Sequence, residues 1–202
     1  MNTDCKMYMN LINSQLSPWV VSLLHEDQKG FIPRQLITEH TCLVAEVVHL
    51  SNSTDSDGYV VSLDQAKAYD RTVLPWLLDV MRVMGVDPDL ISLIADMTHQ
   101  CHTRVRINGA YSRPYSLRRG VQQGDPLSCL LYDFSIEPMG MALQRTVKGV
   151  STLGLPPVKL IQFADDMNLF LSMEDNPEVI GSTLHNDGEW SGEQLRVRGR
   201  VN

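Results

Sequence analysis

A chain of 202 residues, 43% of them hydrophobic, is long enough to bury one ordinary core and too apolar to be disordered. It has no apolar run of membrane-spanning length, and its start, Met1-Asn2-Thr3-Asp4-Cys5-Lys6, lacks the charged and apolar regions of a secretory signal. The four cysteines are scattered without a CxxC pair, so a reduced, intracellular chain with no membrane partner is expected.

The net charge of −7 argues against a uniformly basic nucleic-acid binder, but the charge is unevenly spread. Arg104, Arg106, Arg113, Arg118 and Arg119 fall within sixteen residues, while acids dominate from Glu174 to Glu193. Such a basic strip can track a phosphate backbone or be a solvated face.

In chain order, residues 7–24 carry apolar side chains near helical spacing, with Pro18 expected to interrupt or end the helix. Gln28-Lys29-Gly30-Phe31-Ile32-Pro33-Arg34 reads as a loop, residues 35–50 as an amphipathic helix, and Ser51 to Gly58 as a polar linker. Tyr59 to Asp64 is a β-branched run, predicted to be a buried strand that ends on an acid. A helix follows from Leu74 to Met84, closed by Gly85, and Asp87-Pro88 opens the next. Alternation around Asn108-Gly109 predicts a hairpin with Arg104 and Arg106 on one face. Asp125-Pro126 is predicted to cap a helix continuing through Met139, and a second hairpin should centre on Asp165-Asp166. Beyond Met173 the pattern weakens, and residues 196–202 read as a frayed end.

The acids raise the functional question. Asp165-Asp166 lies within the otherwise apolar run Leu160 to Phe170. An acidic pair there is either a solvated turn tip or a ligand set for a divalent cation. Asp64, ending a separate strand, suits the second reading, because two-metal phosphoryl transfer needs carboxylates converging from different elements onto ions ~4 Å apart. The glycine-containing loop Arg118 to Pro126 lies between these acids and could offer backbone N–H groups to a phosphate.

Four ordered segments then carry a resemblance. Val61-Ser62-Leu63-Asp64-Gln65-Ala66-Lys67-Ala68-Tyr69-Asp70, Arg119-Gly120-Val121-Gln122-Gln123-Gly124-Asp125-Pro126-Leu127-Ser128, Phe163-Ala164-Asp165-Asp166 and the stretch Gln28 to Gln35 resemble motifs of the reverse transcriptase domain of non-LTR (LINE-type) retrotransposons. The resemblance covers nearly the whole chain up to about Ser172, truncated at both ends. It implies an α+β fold, a polymerase palm-like small antiparallel sheet backed by helices, with partial fingers (1–58), a palm (59–173), a degenerate C-terminal tail (174–202) and no thumb.

The implied activity is RNA-directed DNA polymerisation from dNTPs on an RNA template and a DNA primer, with Mg²⁺ or Mn²⁺ as cofactor. Asp64, Asp165 and Asp166 would be the catalytic metal ligands. Tyr69 would lie under the incoming sugar and exclude a ribose 2′-OH, while Gln123 and Gly124 would contact nucleotide or template. Arg34, Arg104, Arg106 and Arg119 would contact template and primer. Asp70 reads as a structural helix cap. The chain departs from the family's Gly-Phe-x-Pro-Gly-Arg pattern, because Pro33 runs directly into Arg34. An inactive remnant acting at most as a nucleic-acid-binding scaffold is the alternative. Another two-metal enzyme, such as a nuclease, is disfavoured because it needs no sugar gate.

Overall fold

The computed structural model describes residues 3–54, 58–99, 102–151, 155–191 and 195–201, of which 187–201 are described through the backbone alone. Helix α1 (Thr3–Leu23) buries Met9, Ile12, Leu16 and Val20, a stripe at helical spacing. Contrary to expectation it runs through Pro18. The missing N–H costs one helical bond, but Leu16 and Val20 on either side enter the same core, and their burial keeps the halves aligned. Helix α2 (Ile37–Thr54) extends beyond the expected end, absorbing Ser51 to Thr54 from the presumed linker.

Strand β1 (Gly58–Gln65) is followed by the single-turn α3 (Ala68–Arg71) and by α4 (Leu74–Val83). Asp70 lies within α3 rather than capping α4, whose N-cap residue Val73 makes no side-chain cap bond. Gly85 closes α4 at φ +84°, a left-handed conformation that glycine tolerates. Helix α5 (Pro88–His99) starts as read, with Asp87 Oδ1 accepting the N–H groups of Asp89 and Leu90 at 2.9 and 3.3 Å.

Next comes an exposed ribbon. Strands β2 (His102–Thr103) and β5 (Tyr115–Ser116) pair at its base, and β3 (Arg106–Ile107) and β4 (Ala110–Tyr111) pair at its tip around Asn108-Gly109. Helix α6 (Ser128–Thr146) is buried on most of its circumference. It starts just after the expected cap: Asp125 Oδ1 accepts the Leu127 N–H at 2.9 Å, so the acid organises the turn that leads into the helix.

Strands β6 (Leu160–Phe163) and β7 (Asp166–Ser172) form the second hairpin, followed by α7 (Pro177–Ser191) and β8 (Leu195–Val201). The C-terminal segment is therefore not a frayed end. Leu195-Arg196-Val197-Arg198 alternates in the two-residue period of a strand, and its backbone pairs with β1.

The central sheet has the order β6-β7-β1-β8, antiparallel throughout. One face carries Leu63, Met167 and Leu169 into a core with Met139, Leu143 and Ile180 of α6 and α7. On the other face Phe170 and Ile161 pack with Val47 of α2. Mixed helices and antiparallel sheet make this an α+β palm-like fold, as expected. Among the described residues, no helix is long and apolar enough to cross a membrane.

Candidate active site

Side chains alternate along a strand, so the register decides what meets what. Asp64 pairs with Asp166, Ser62 with Asn168, and Val60 with Phe170. All three pairs therefore share the face that α2 covers. At the strand ends this places two acids directly opposite one another. Like charges in that position repel, and a divalent cation between them would reverse the sign. Hard carboxylate oxygens on facing strands fit such an ion by their chemistry.

Asp165 occupies the two-residue turn between β6 and β7, and its carbonyl accepts the Gln65 N–H at 3.3 Å. The acids of both motifs are thus brought together through backbone pairing, although no three His, Cys, Asp or Glu side chains among the described residues enclose a metal position by themselves.

Beyond the acids, a polar chain ties the sheet to α2. The Ser62 hydroxyl donates to Asn168 Oδ1 at 2.5 Å, and Asn168 Nδ2 lies 2.6 Å from His40 Nε2. Burial pushes the His40 imidazole below its ordinary range, against the opposing pull of the Asp166 carboxylate. His40, Ser62, Asn168, Phe163 and Asp166 line a cavity of about 500 Å³ between α2 and the sheet, so one acid of the facing pair borders it.

Tyr69 is half-buried, with its ring centroid 4.9 Å from that of Tyr132 and its hydroxyl donating to Cys129 Sγ at 3.8 Å. Burial, reinforced by Cys129, holds the phenol well above the usual tyrosine range, so it stays protonated. Tyr132 in turn is fully buried and donates to Gln65 Oε1, linking the aromatic pair to the end of β1.

The loop before α6 is anchored to this corner, since Gly120 N–H donates to Thr72 O at 2.8 Å and Val121 N–H to Tyr69 O at 2.8 Å. Gly120 is needed there: a Cβ would sit 3.0 Å from the Asp70 backbone, at φ +90°. Gln123 and Gly124 are exposed, and Gly124 (φ +80°) has nothing within 4 Å, leaving the loop tip open.

The four candidate arginines are all exposed, and only Arg34 lies far from the others in the chain. Arg104, Arg106 and Arg119 belong to the ribbon and its exit, and the Arg106 guanidinium lies 5.5 Å over the Tyr111 ring. Arg34 sits in the α1–α2 loop at φ +70°, so the conformation that favours glycine is imposed on an arginine where the family's Pro-Gly-Arg pattern is shortened.

Sequence reasoning missed two glutamines. Gln28, 1% exposed, accepts the N–H groups of Gly30 at 2.9 Å and Ala164 at 3.1 Å through Oε1. Gln162, 2% exposed, reaches toward Gly140 of α6, where a Cβ would come within 2.5 Å of its Oε1. The nearby glycines, Gly30 and Gly140, were the signals available. Nothing local separates a clamping glutamine from a solvated one.

Comparison with known proteins fits this geometry. Residues 1–197 match the family described as reverse transcriptase (RNA-dependent DNA polymerase). The chain is 29% identical over 171 residues to a 149 kDa protein of transposon TX1 from Xenopus laevis, covering 84% of this chain and 13% of that protein. It is 29% identical over 162 residues to a Pol polyprotein of the R2 retrotransposable element from Popillia japonica, covering 80% and 22%. The chain thus spans less than a quarter of the length of these two relatives.

Among solved structures, telomerase from Candida tropicalis superposes with a TM-score of 0.66 at 13% identity, over 95% of this chain and 33% of that one. Telomerase from Candida albicans gives 0.58 at 13% identity, over 99% and 34%. At that identity the likeness concerns the fold. The family generally uses divalent metal ions, in keeping with the facing acids. The chain belongs to the reverse transcriptase family, and its curated relatives place it with the non-LTR retrotransposon branch.

Proposed function

We propose that this chain is the catalytic core of an RNA-directed DNA polymerase that adds dNTPs to a DNA primer on an RNA template. The observation that carries the reading is the register pairing of Asp64 with Asp166 beside the Asp165 turn. Asp64, Asp165 and Asp166 would hold the divalent ions, Mg²⁺ or Mn²⁺, whose chemistry is Lewis-acid stabilisation of charge on the transferring phosphate. Substrate oxygens would supply the ligands that the three side chains do not provide.

The protein's own part is positioning. Tyr69, braced by Tyr132 and near enough to Asp165 to feel its charge, acts as the sugar gate. The open loop at Gln123 and Gly124 lets nucleotide or template approach the backbone closely. Arg34, Arg104, Arg106 and Arg119 meet the phosphates of template and primer. The scaffold-only alternative is not favoured, since all three acids are retained and two of them face each other.

The test is extension of an oligo(dT) primer on poly(rA) with Mg²⁺ or Mn²⁺, with Asp166→Asn as control. Activity in the parent chain and its loss in the variant are expected; no extension by the parent at any concentration of either ion would sink the reading. Tyr69→Val should raise ribonucleotide incorporation, and an unchanged preference for dNTPs would remove Tyr69 from the gate.

A further inference from the structure

The acid turn has a conformational difficulty. Ala164, at its first position, takes φ +54°, which a residue with a Cβ adopts at a cost of roughly 1–2 kcal/mol. Neither Ala164 nor Asp165 is glycine or asparagine, so turn chemistry alone does not select this geometry. Something outside the hairpin holds it.

The holder is the segment between α1 and α2. Its backbone lies along β6 as a short parallel bridge between Gln28 and Gln162. Gln162 N–H donates to Asp27 O at 2.9 Å, and Lys29 N–H to Gln162 O at 2.7 Å. Gln28 then folds back and accepts, through one oxygen, its own loop's Gly30 N–H and the Ala164 N–H of the turn. Gly30 packs so closely that a Cβ would lie 2.4 Å from the Ala164 nitrogen. The segment is itself fixed from behind, because Glu137 of α6 accepts the His25 N–H at 2.8 Å and Gln144 donates to Asp27.

We propose that Gln28 is a positioning residue for the metal-binding acids: its side-chain oxygen fixes the Ala164 amide, and through it the placement of Asp165 and Asp166 against Asp64. This rests on the reading of those acids as metal ligands. The chemistry requires an acceptor, not an amide. Gln28 Nε2 is buried without a partner, so only the oxygen does the holding. A carboxyl group at this position offers the same acceptor, whereas a thioether of the same shape does not.

The test compares Gln28→Met with Gln28→Glu in the full chain. Two readouts are used: Mn²⁺ binding followed by the loss of free-ion EPR signal, and hydrogen exchange of the Ala164 amide. Gln28→Met should weaken Mn²⁺ binding about ten- to a hundredfold, the range for partners that orient metal ligands, and should speed Ala164 exchange by a comparable factor. Gln28→Glu should stay near the parent in both. The melting temperature checks that each variant is folded.

Parent-like Mn²⁺ affinity and exchange in Gln28→Met would overturn the proposal, as would equal losses in both variants. If the parent itself bound no Mn²⁺, the metal reading of the acids would fail, while Ala164 exchange would still show whether Gln28 holds the turn.

Discussion

Two hairpins in this molecule close through two residues each, Asn108-Gly109 between β3 and β4 and Ala164-Asp165 between β6 and β7. In the first, both turn residues have positive φ, 49° and 85°, as a type I′ turn requires, and the residue types are those that favour it. Its tip is exposed on every side. In the second, an alanine is held at positive φ, and the support comes from Gln28, Gly30 and Gln65, all remote in the chain. One turn is written locally, while the other is imposed by the fold. The difference suits the roles proposed for them: a basic ribbon that would follow a flexible polymer tolerates motion, whereas facing carboxylates that would hold an ion do not.

The largest test of this contrast replaces one glycine in each region. Gly30→Ala puts a Cβ against the Ala164 backbone nitrogen, where no side-chain rotation relieves it. Loss of about 1–3 kcal/mol of stability and of about a hundredfold in primer extension is expected. Gly109→Ala meets nothing within 4 Å and suffers only its φ of +85°. It should lose about 1 kcal/mol in denaturant unfolding with extension retained. Similar activity losses in both would erase the distinction.

The ribbon can be probed by charge. Arg104→Ala with Arg106→Ala should lower the steepness of log affinity against log salt by about 1.5 in a filter-binding titration on single-stranded RNA, as expected for two lost phosphate contacts. Mn²⁺ binding at the acids should be unchanged. An unaltered salt slope would assign these arginines to a solvated face.

The same contrast explains what was legible in the sequence. Asn108-Gly109 could be read at once because a type I′ turn is selected by its own two residues. The strand carrying Asp64 and the acid hairpin were legible from β-branched and apolar runs, whereas the register that sets Asp64 opposite Asp166 was not, because it is fixed by pairing between elements about a hundred residues apart. The clamp at Gln28 was not, because a glutamine in a Gly- and Pro-containing loop carries no local mark of burial. Pro18 misled for a related reason: its intrinsic cost to a helix is real, but the stripe through Leu16 and Val20 outweighs it. At β8 the alternation of Leu195-Arg196-Val197-Arg198 was present but masked by its basic residues, and a partner edge on β1 was needed to make it a strand.

The smallest effect concerns how the two hairpins respond to pH. One helical turn before the Glu137 that holds the clamping segment, α6 carries Asp133, which is 0% exposed and whose carboxyl oxygens have no hydrogen-bond partner. Burial, with the neighbouring Glu137 adding to it, raises Asp133 well above its ordinary value of 3.8; burial raises Glu137 as well, although the His25 N–H opposes the shift. A carboxyl raised in the folded state binds its proton more tightly than in the unfolded chain. Stability therefore falls as pH rises from 3.8 toward the folded value, by at most about 1.4 kcal/mol per pH unit for one group. Asp133→Asn removes that proton from the balance. Urea unfolding between pH 5 and 8 should show a flatter pH dependence in the variant and higher stability than the parent at pH 8, with a residual slope left by Glu137. Hydrogen exchange should place the parent's pH-dependent loosening in the segment 25–30 and the acid turn and leave the ribbon tip unaffected. Identical pH profiles for parent and variant would show that Asp133 is not a source of the acid hairpin's pH sensitivity.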